Sequence, residues 1–504
     1  MSLSKKILSF ILCVGILVFF FFTRFYHILT LPIFTDEAIY VRWSQIASND
    51  AAWRFISLTD GKQPMFVWIA MILMKIIADP LFAGRLVSVI AGFFSMVGLF
   101  FLTNEVFKNK KIGFLVSFIY ILYPFALVYD RLALYDSLVA MFIIWSLYFE
   151  VLLARYVRLD LALILGMIIG GGMLTKTNTD FALILLPFSL LLFQWKDKKR
   201  YQLLGKWIVF ALVTTVVANA MYAILRLSPF YHIIADKNFV FIYQPKEWLQ
   251  APFAYLLPNL SPLSDWFVRY MTLPFLVLVA SAFLVGKNYF KEKLLLLVWF
   301  VIPFVSLAFF GKLLYPRFIL FMTMSLLVLG AYALYYLLLF AKKIWIQIII
   351  FIVFFGLFII NDFFILTDFA KAAIPRSDLG QFLSSWTAGG GVRETIAYLK
   401  EQAKTKKIYV GTEGTFGLMP YALEMYLKDN PNIVIKAFWP MQDLPPQEVL
   451  DASKTMPTYF VFYQACPSCS TIGFAPPQWK VTPVLQIKKL EKDTFYTLYQ
   501  VQPK

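Results

Sequence analysis

Apolar segments of roughly 20 residues, parted by short charged runs, recur from the amino terminus to about residue 361. In hydrocarbon each backbone polar group must be satisfied within its own segment, so such a chain folds as a bundle of membrane-spanning helices. About eleven spans are predicted, near 7–28, 81–104, 112–129, 137–154, 160–177, 180–195, 204–225, 267–286, 294–311, 317–340 and 344–361. Hydrophobic residues make up 60% of the 504 and charged residues 15%, which excludes a soluble enzyme with one large core. The net charge of +17 does not mark a nucleic-acid binder, because Lys and Arg are not gathered on one face or arm.

Those basic residues set the orientation instead. Lys5-Lys6, Lys108 with Lys110-Lys111, Arg155 with Arg158, Lys196 with Lys198-Lys199-Arg200, Lys287 with Lys291 and Lys293, and Lys342-Lys343 lie between spans. They share one side only if the apolar stretch 65–78 does not cross. Its length of about 14 residues suits a helix lying on the outer surface. The positive-inside rule then puts the basic runs in the cytoplasm. No small-residue cleavage site follows the first apolar run, which reads as a signal anchor.

This topology turns five loops and the carboxyl-terminal region outward. The apolar pattern stops after Asn361-Asp362, and from Pro375 the chain alternates helix-like and strand-like runs. The fold class expected is therefore a mostly α polytopic bundle with outer surface helices, residues 1–362, plus an extracytoplasmic α/β domain, residues 375–504. Alternation of the two kinds of element predicts a mostly parallel sheet covered by helices.

The stretch Phe34-Thr35-Asp36-Glu37-Ala38-Ile39-Tyr40 places two adjacent carboxylates just after the first span. Charge so near hydrocarbon is expensive and tends to face protein or a wet cavity. Thr35 or Asp36 could equally start a surface helix, with the carboxylates favouring its dipole. What weighs toward function is the company. Lys62, Arg85, Arg131, Lys176, Lys312 and Arg317 all map near outer span ends, where positive residues should be scarce. Asp130 and Asp136 map there too. Any one of these could be a snorkelling side chain. Together they suit a substrate carrying a phosphate and a sugar. If a sugar sits on a polyprenyl phosphate, the leaving group is already an anion. It needs cations to take up charge rather than a strong acid. The acceptor hydroxyl needs a base, and an aspartate within hydrogen-bond reach can serve.

At these residues the sequence resembles the membrane glycosyltransferases of the C-type fold, nearest the protein O-mannosyltransferases and the lipid A aminoarabinose transferases. The resemblance rests on Asp36-Glu37, Lys62-Gln63-Pro64, Arg85, Arg131-Leu132-Ala133-Leu134-Tyr135-Asp136, Thr175-Lys176 and Tyr315-Pro316-Arg317-Phe318, in that order over about residues 1–340. It implies an inverting transferase that moves a sugar from a polyprenyl-phosphate donor to a hydroxyl of a lipid, glycan or protein acceptor, on the outer face of the cell membrane. It implies Asp36 as the catalytic base, Glu37 as the group orienting it or the acceptor, and Asp136 as the acidic residue of the second loop. Arg85, Arg131, Lys176 and Arg317 become candidates for the lipid phosphate, with Lys62 and Lys312 at neighbouring span ends. Two departures stand out. Gln63 replaces the first of two prolines, and Gly61 stands where the aminoarabinose branch has a glutamate implicated in metal binding. The resemblance fixes no cofactor, and a divalent metal stays open. His232 would be either a ligand or an ordinary polar contact, the commoner role for a lone loop histidine.

Other readings stay open beside this one. A lipid-linked sugar flippase or secondary transporter would place its ionisable groups nearer the midplane. A scaffold whose outer domain binds cell-wall polymer is a third. Cys466 and Cys469 have CxxC spacing, which without a second pair does not make a closed zinc site and leaves a local disulfide or free thiols. Gly411-Thr412-Glu413-Gly414-Thr415 follows a strand-like run, where a ligand site and a plain turn are both admissible.

Overall fold

A computed structural model describes residues 3–286, 288–464, 472–491 and 493–503. Cys466 and Cys469 fall outside the described residues. The chain divides into two compact units. The first comprises Met1–Tyr26, Arg54–Ile69 and Arg85–Pro375; the second comprises His27–Trp53, Ala70–Gly84 and Arg376–Lys504.

The first unit is helical, and the protein is a multi-pass membrane protein. Its helices include α1 (Leu3–Phe25), and further along the chain come α2 (Thr35–Asn49, which belongs to the second unit), α3 (Met65–Leu73) and α4 (Pro80–Phe107). Next are α5 (Lys110–Ile121), α6 (Pro124–Tyr129), α7 (Asp136–Tyr156) and α8 (Leu159–Met173). Among the described residues six helices are long and apolar enough to cross: α4, α7, Arg200–Leu227, Phe290–Phe310, Pro316–Phe340 and Ile344–Thr367. Leu256–Met271 and Leu273–Ser281 form a pair bent by 86°. The bend falls at Thr272, whose φ is 55°, with Pro274 next but one. Proline lacks a backbone donor and is a usual cause of a sharp kink. Of the other four expected spans, the first falls in α1, at 23 residues, and three correspond to shorter or broken elements. One of them, α5 with α6, is interrupted ahead of Pro124, which opens α6 at a position where its missing N–H costs nothing. At nine residues α3 rises only about 13 Å, too short to cross.

Glycine explains one tight contact in this bundle. Gly166 and Gly170, four apart on α8, face the helix Arg200–Tyr222. A Cβ on Gly166 would lie 2.8 Å from Thr214 O, and one on Gly170 would lie 2.9 Å from Met221 Cβ. The two backbones therefore approach as small-residue stripes allow, and Thr214 Oγ1 donates across to Ala162 O at 3.0 Å. The outer side of Arg200–Tyr222 exposes Ile208, Val209, Leu212 and Val216, as a lipid-facing helix should. Leu320–Phe340 by contrast is buried over most of its length.

The second unit carries a five-stranded sheet of β1 (Ile408–Glu413), β2 (Ile433–Phe438), β3 (Thr458–Phe462), β4 (Val481–Lys488) and β5 (Phe495–Val501), in the order β2-β1-β3-β5-β4. β1 runs parallel to β2 and β3, while β5 runs antiparallel to β3 and β4. The expected mostly parallel sheet is thus mixed. The connection 489–494 is too short for a crossover helix and long enough for a hairpin. β1 and β3 are buried at every position, as central strands are. Tyr409, Phe460, Phe462, Trp479 and Tyr499 form a core with Val449 of the helix Gln447–Thr455. The same unit takes in α2, which packs along Leu418–Leu427 through Arg42 Nε to Glu424 Oε2 at 2.8 Å and Gln45 Nε2 to Met425 O at 2.9 Å.

Candidate active site

In the first unit the candidate cations fall into separate groups. Asp136 opens α7, where the helix dipole favours a carboxylate. Lys176 Nζ reaches its Oδ1 at 2.8 Å and sits 4.7 Å from the centre of the Phe318 ring. Burial pulls the Lys176 ammonium below the usual lysine range; Asp136 opposes this, while Arg317 and Lys62 add to it. Lys62 and Arg317 thus lie near the Lys176–Asp136 pair.

Backbone and polar contacts tie these residues into one region. Met65 N donates to Leu174 O at 3.0 Å, and Gln63 Nε2 donates to Thr177 Oγ1 at 2.9 Å. Gln63 thus fastens the Lys62 segment to the one bearing Lys176. Lys62 Nζ also lies 3.4 Å from Asp60 Oδ2, whose other oxygen is 2.6 Å from Lys237 Nζ.

A second group gathers around the buried Asp130. It accepts from Arg24 Nε at 3.3 Å, Ser137 Oγ at 2.8 Å and the Tyr120 hydroxyl at 3.1 Å. This carboxylate is saturated, which suits a structural tie. Beside it burial, and then the Arg85 and Arg24 guanidiniums, pull Arg131 down from the ordinary arginine range. Arg131 Nη2 donates to Tyr26 O at 2.6 Å, and among the described residues its Nε has no hydrogen-bond partner. Arginine stays charged in proteins, so this crowding describes a place suited to an anion.

Lys312 stands apart from both groups. It is 3.3 Å from Glu247 Oε1, with both side chains more than two-fifths exposed. His232 Nδ1 makes a local contact at 3.1 Å to Pro229 O and is exposed.

In the second unit Phe34 caps α2, and Asp36 and Glu37 occupy its first turn. Glu37 is fully buried, and its Oε2 accepts from Phe34 N at 3.0 Å. A Glu at that position turning back to the cap N–H satisfies one of the orphan donors of the helix start. Asp36, one residue earlier, is half-buried. The two neighbouring carboxylates therefore differ: Glu37 closes the helix start, and Asp36 stays half-buried in its first turn.

Residues 61–222 match the family model for dolichyl-phosphate-mannose-protein mannosyltransferases. No curated protein matches the sequence. Among solved structures, ArnT of Cupriavidus metallidurans bound to undecaprenyl phosphate aligns over 99% of this chain and 98% of its own, with a TM-score of 0.60 at 14% identity. This is the C-type fold of membrane glycosyltransferases. The C-type fold also accounts for a likeness to the Archaeoglobus fulgidus oligosaccharyltransferase crystallised with Zn and sulfate, over 92% of this chain and 73% of that one, with a TM-score of 0.53 at 15% identity.

Among the described residues no three His, Cys, Asp or Glu side chains come together to hold an ion. Position 61 has no room for a ligand. Gly61 has a φ of 66°, and a Cβ there would lie 2.5 Å from Lys237 Cβ and 2.7 Å from Ile233 O.

Sequence reasoning missed Arg24, which is fully buried, although a lone arginine inside an apolar run is a signal in itself. It also missed the pairing of Asp60 with Lys237, and the carboxyl-terminal residues that hold α2. No local motif points to these, because they are brought together only by the fold.

Proposed function

We propose that this chain is an inverting glycosyltransferase that moves a hexosyl or pentosyl group from a polyprenyl-phosphate carrier to an acceptor hydroxyl at the extracytoplasmic face. The observation that carries the reading is the charged cluster at the start of α7, where Lys176 pairs with the nearly buried Asp136 at 2.8 Å and Lys62 and Arg317 lie near enough to depress the Lys176 ammonium. A phosphate monoester leaving group needs this kind of preorganised positive charge. Arg85 and Arg131 offer a second place for lipid phosphate or for the growing charge on it. Lys312 and His232 would contact substrate at the margin of the site. The match to a mannosyltransferase family model and the fold shared with an undecaprenyl-phosphate-bound protein support the donor class.

In the proposed step the acceptor oxygen attacks the anomeric carbon from the face opposite the phosphate. The new C–O bond forms as the bond to the phosphate oxygen breaks, and the electron pair leaves with the phosphate. Asp36 takes the proton of the acceptor hydroxyl. One displacement with one base inverts the anomeric centre. Glu37 keeps the first turn closed, so that Asp36 is presented from a fixed backbone. Asp136 holds Lys176 in place. No step is routed through a metal. In this reading residues 1–362 carry the reaction in the membrane, and residues 375–504 form the extracytoplasmic domain.

Two measurements test the proposal together. Mass spectrometry of lipid that co-purifies with the full-length protein should find a polyprenyl phosphate, with or without sugar. Asp36→Asn should bind that lipid as the wild type does but lose at least 100-fold in transfer, the scale of a lost general base. Normal turnover by this variant removes Asp36 from the mechanism.

A further inference from the structure

We infer that the turn 385–389 and the buried lysine that holds it, Lys489, position Asp36 for the reaction. The inference rests on the reading of Asp36 as the base.

The residues just ahead of Asp36 are paired to that turn like a short strand. Thr35 N donates to Thr387 O at 3.0 Å, and Gly389 N donates to Ile33 O at 2.8 Å. Phe34 and Ala388 form an antiparallel bridge, and the Phe34 ring meets Phe382 edge-on at 5.2 Å. Backbone on the amino side of Asp36 is therefore fixed by residues about 350 positions later in the chain. The far end of α2 is anchored as well, through Arg42 to Glu424 and Gln45 to Met425 O. With both ends held, a shift at residues 33–35 cannot be absorbed by sliding the helix.

The turn is itself held from beneath. Lys489 is 5% exposed, and its Nζ donates to Ser385 O at 3.0 Å. Ser385 Oγ and Thr387 Oγ1 are 2.6 Å apart, and Thr387 Oγ1 donates to Gln381 O at 2.9 Å. Glu413 faces Lys489 and uses its Oε2 to accept from Tyr463 N at 2.9 Å and Gln464 N at 2.8 Å, at the end of β3. Burying an ammonium is expensive. Here its hydrogen bond goes to the backbone of the turn that pairs with the Asp36 segment. A hydrophobic side chain would fill the same space without that cost, so the placement points to orientation rather than stability alone.

The test uses the full-length protein in lipid nanodiscs and two variants that perturb the turn from opposite sides. Lys489→Met removes the tie to Ser385. Gly389→Ala puts a methyl group 2.5 Å from Ile33 Cγ2 and 2.6 Å from Ile33 O, pressing on the strand that leads into Asp36. Val449→Ala, in the core on the helix Gln447–Thr455, serves as a destabilised control away from the turn. Undecaprenyl phosphate carrying mannose or aminoarabinose is the donor probe, read as freed undecaprenyl phosphate. Amide hydrogen exchange over residues 33–38 is the readout that needs no turnover. Both turn variants should exchange at least tenfold faster over 33–38 and lose at least tenfold in kcat, with KM for donor within twofold of wild type. Val449→Ala should lower the unfolding temperature but leave both readouts alone. Unchanged exchange in the turn variants overturns the inference, as does faster exchange with wild-type kcat, or an equal loss of kcat in Val449→Ala. Full activity in Asp36→Asn is a different result: it ends the assignment of the base itself.

Discussion

Replacing Lys176 with methionine separates the structural and the functional work of the cation cluster. The Lys176–Asp136 distance is 2.8 Å, and the two side chains are 26% and 7% exposed. The variant leaves Asp136 nearly buried without its partner. Stranding one member of a fully buried pair costs about 3–5 kcal/mol. Two features reduce that figure. Lys176 is partly screened by solvent, and Asp136 sits at the start of α7, where the dipole returns about 0.3–1 kcal/mol. A loss of stability of about 1–3 kcal/mol is expected on these grounds. Adding Asp136→Asn removes the stranded charge, so the double variant should recover most of that stability. Donor use should behave differently. A hydrogen bond to a charged group contributes about 1.5–3 kcal/mol, so its loss lowers kcat/KM for the donor roughly 10- to 150-fold. That deficit should persist in the double variant, because the missing ammonium is not restored. Thermal unfolding in detergent and a titration with sugar-charged undecaprenyl phosphate measure the two effects separately. If the double variant regains both stability and donor kcat/KM, Lys176 is a structural partner of Asp136 and nothing more.

Two further predictions concern stability. Gly61→Ala places an L-residue at a φ of 66° with its Cβ 2.5 Å from Lys237 Cβ. Left-handed strain of about 1–2 kcal/mol and overpacking of about 1–3 kcal/mol should lower the unfolding temperature measurably; an unchanged temperature contradicts the packing described for residues 60–62. Burial pushes the Lys489 ammonium down to about 8, with Glu413 opposing. A lysine in the unfolded chain titrates near ~10.4, so between these values the unfolded chain holds a proton that the folded one has released. The contribution of this group to stability is lowest below about pH 8 and rises with pH through that window. Lys489→Met should lose this rise, and parallel curves of unfolding temperature against pH for variant and wild type would contradict it.

The bundle was legible because a period of apolar segments is a one-dimensional signal. The strands were legible for the same reason, and Ile433–Phe438 falls where its β-branched run places it. The pairing of β5 was not, because parallel and antiparallel neighbours read alike within a strand. Among the site candidates, Lys176 and Asp136 were singled out separately at two span ends, and their ion pair brings them together. Lys312 carried the same signal and pairs instead with Glu247. Charge at a span end tells of a polar environment but not of which partner supplies it. Lys489 carried no signal at all: in the sequence it is one lysine of the pair Lys488-Lys489, and only burial distinguishes it.

The way α2 is held has a consequence for biosynthesis. Arg42 and Glu424 are 382 positions apart, and the partners of residues 33–35 emerge later than every membrane helix. During synthesis the Asp36 segment must wait, unpartnered, until almost the whole chain has been made. Contacts of such long sequence separation are slow to form. With Asp36 in the proposed role of base, the nascent protein would remain inactive in transfer until residues 385–389 and Lys489 have been made, a timing set by chain order alone.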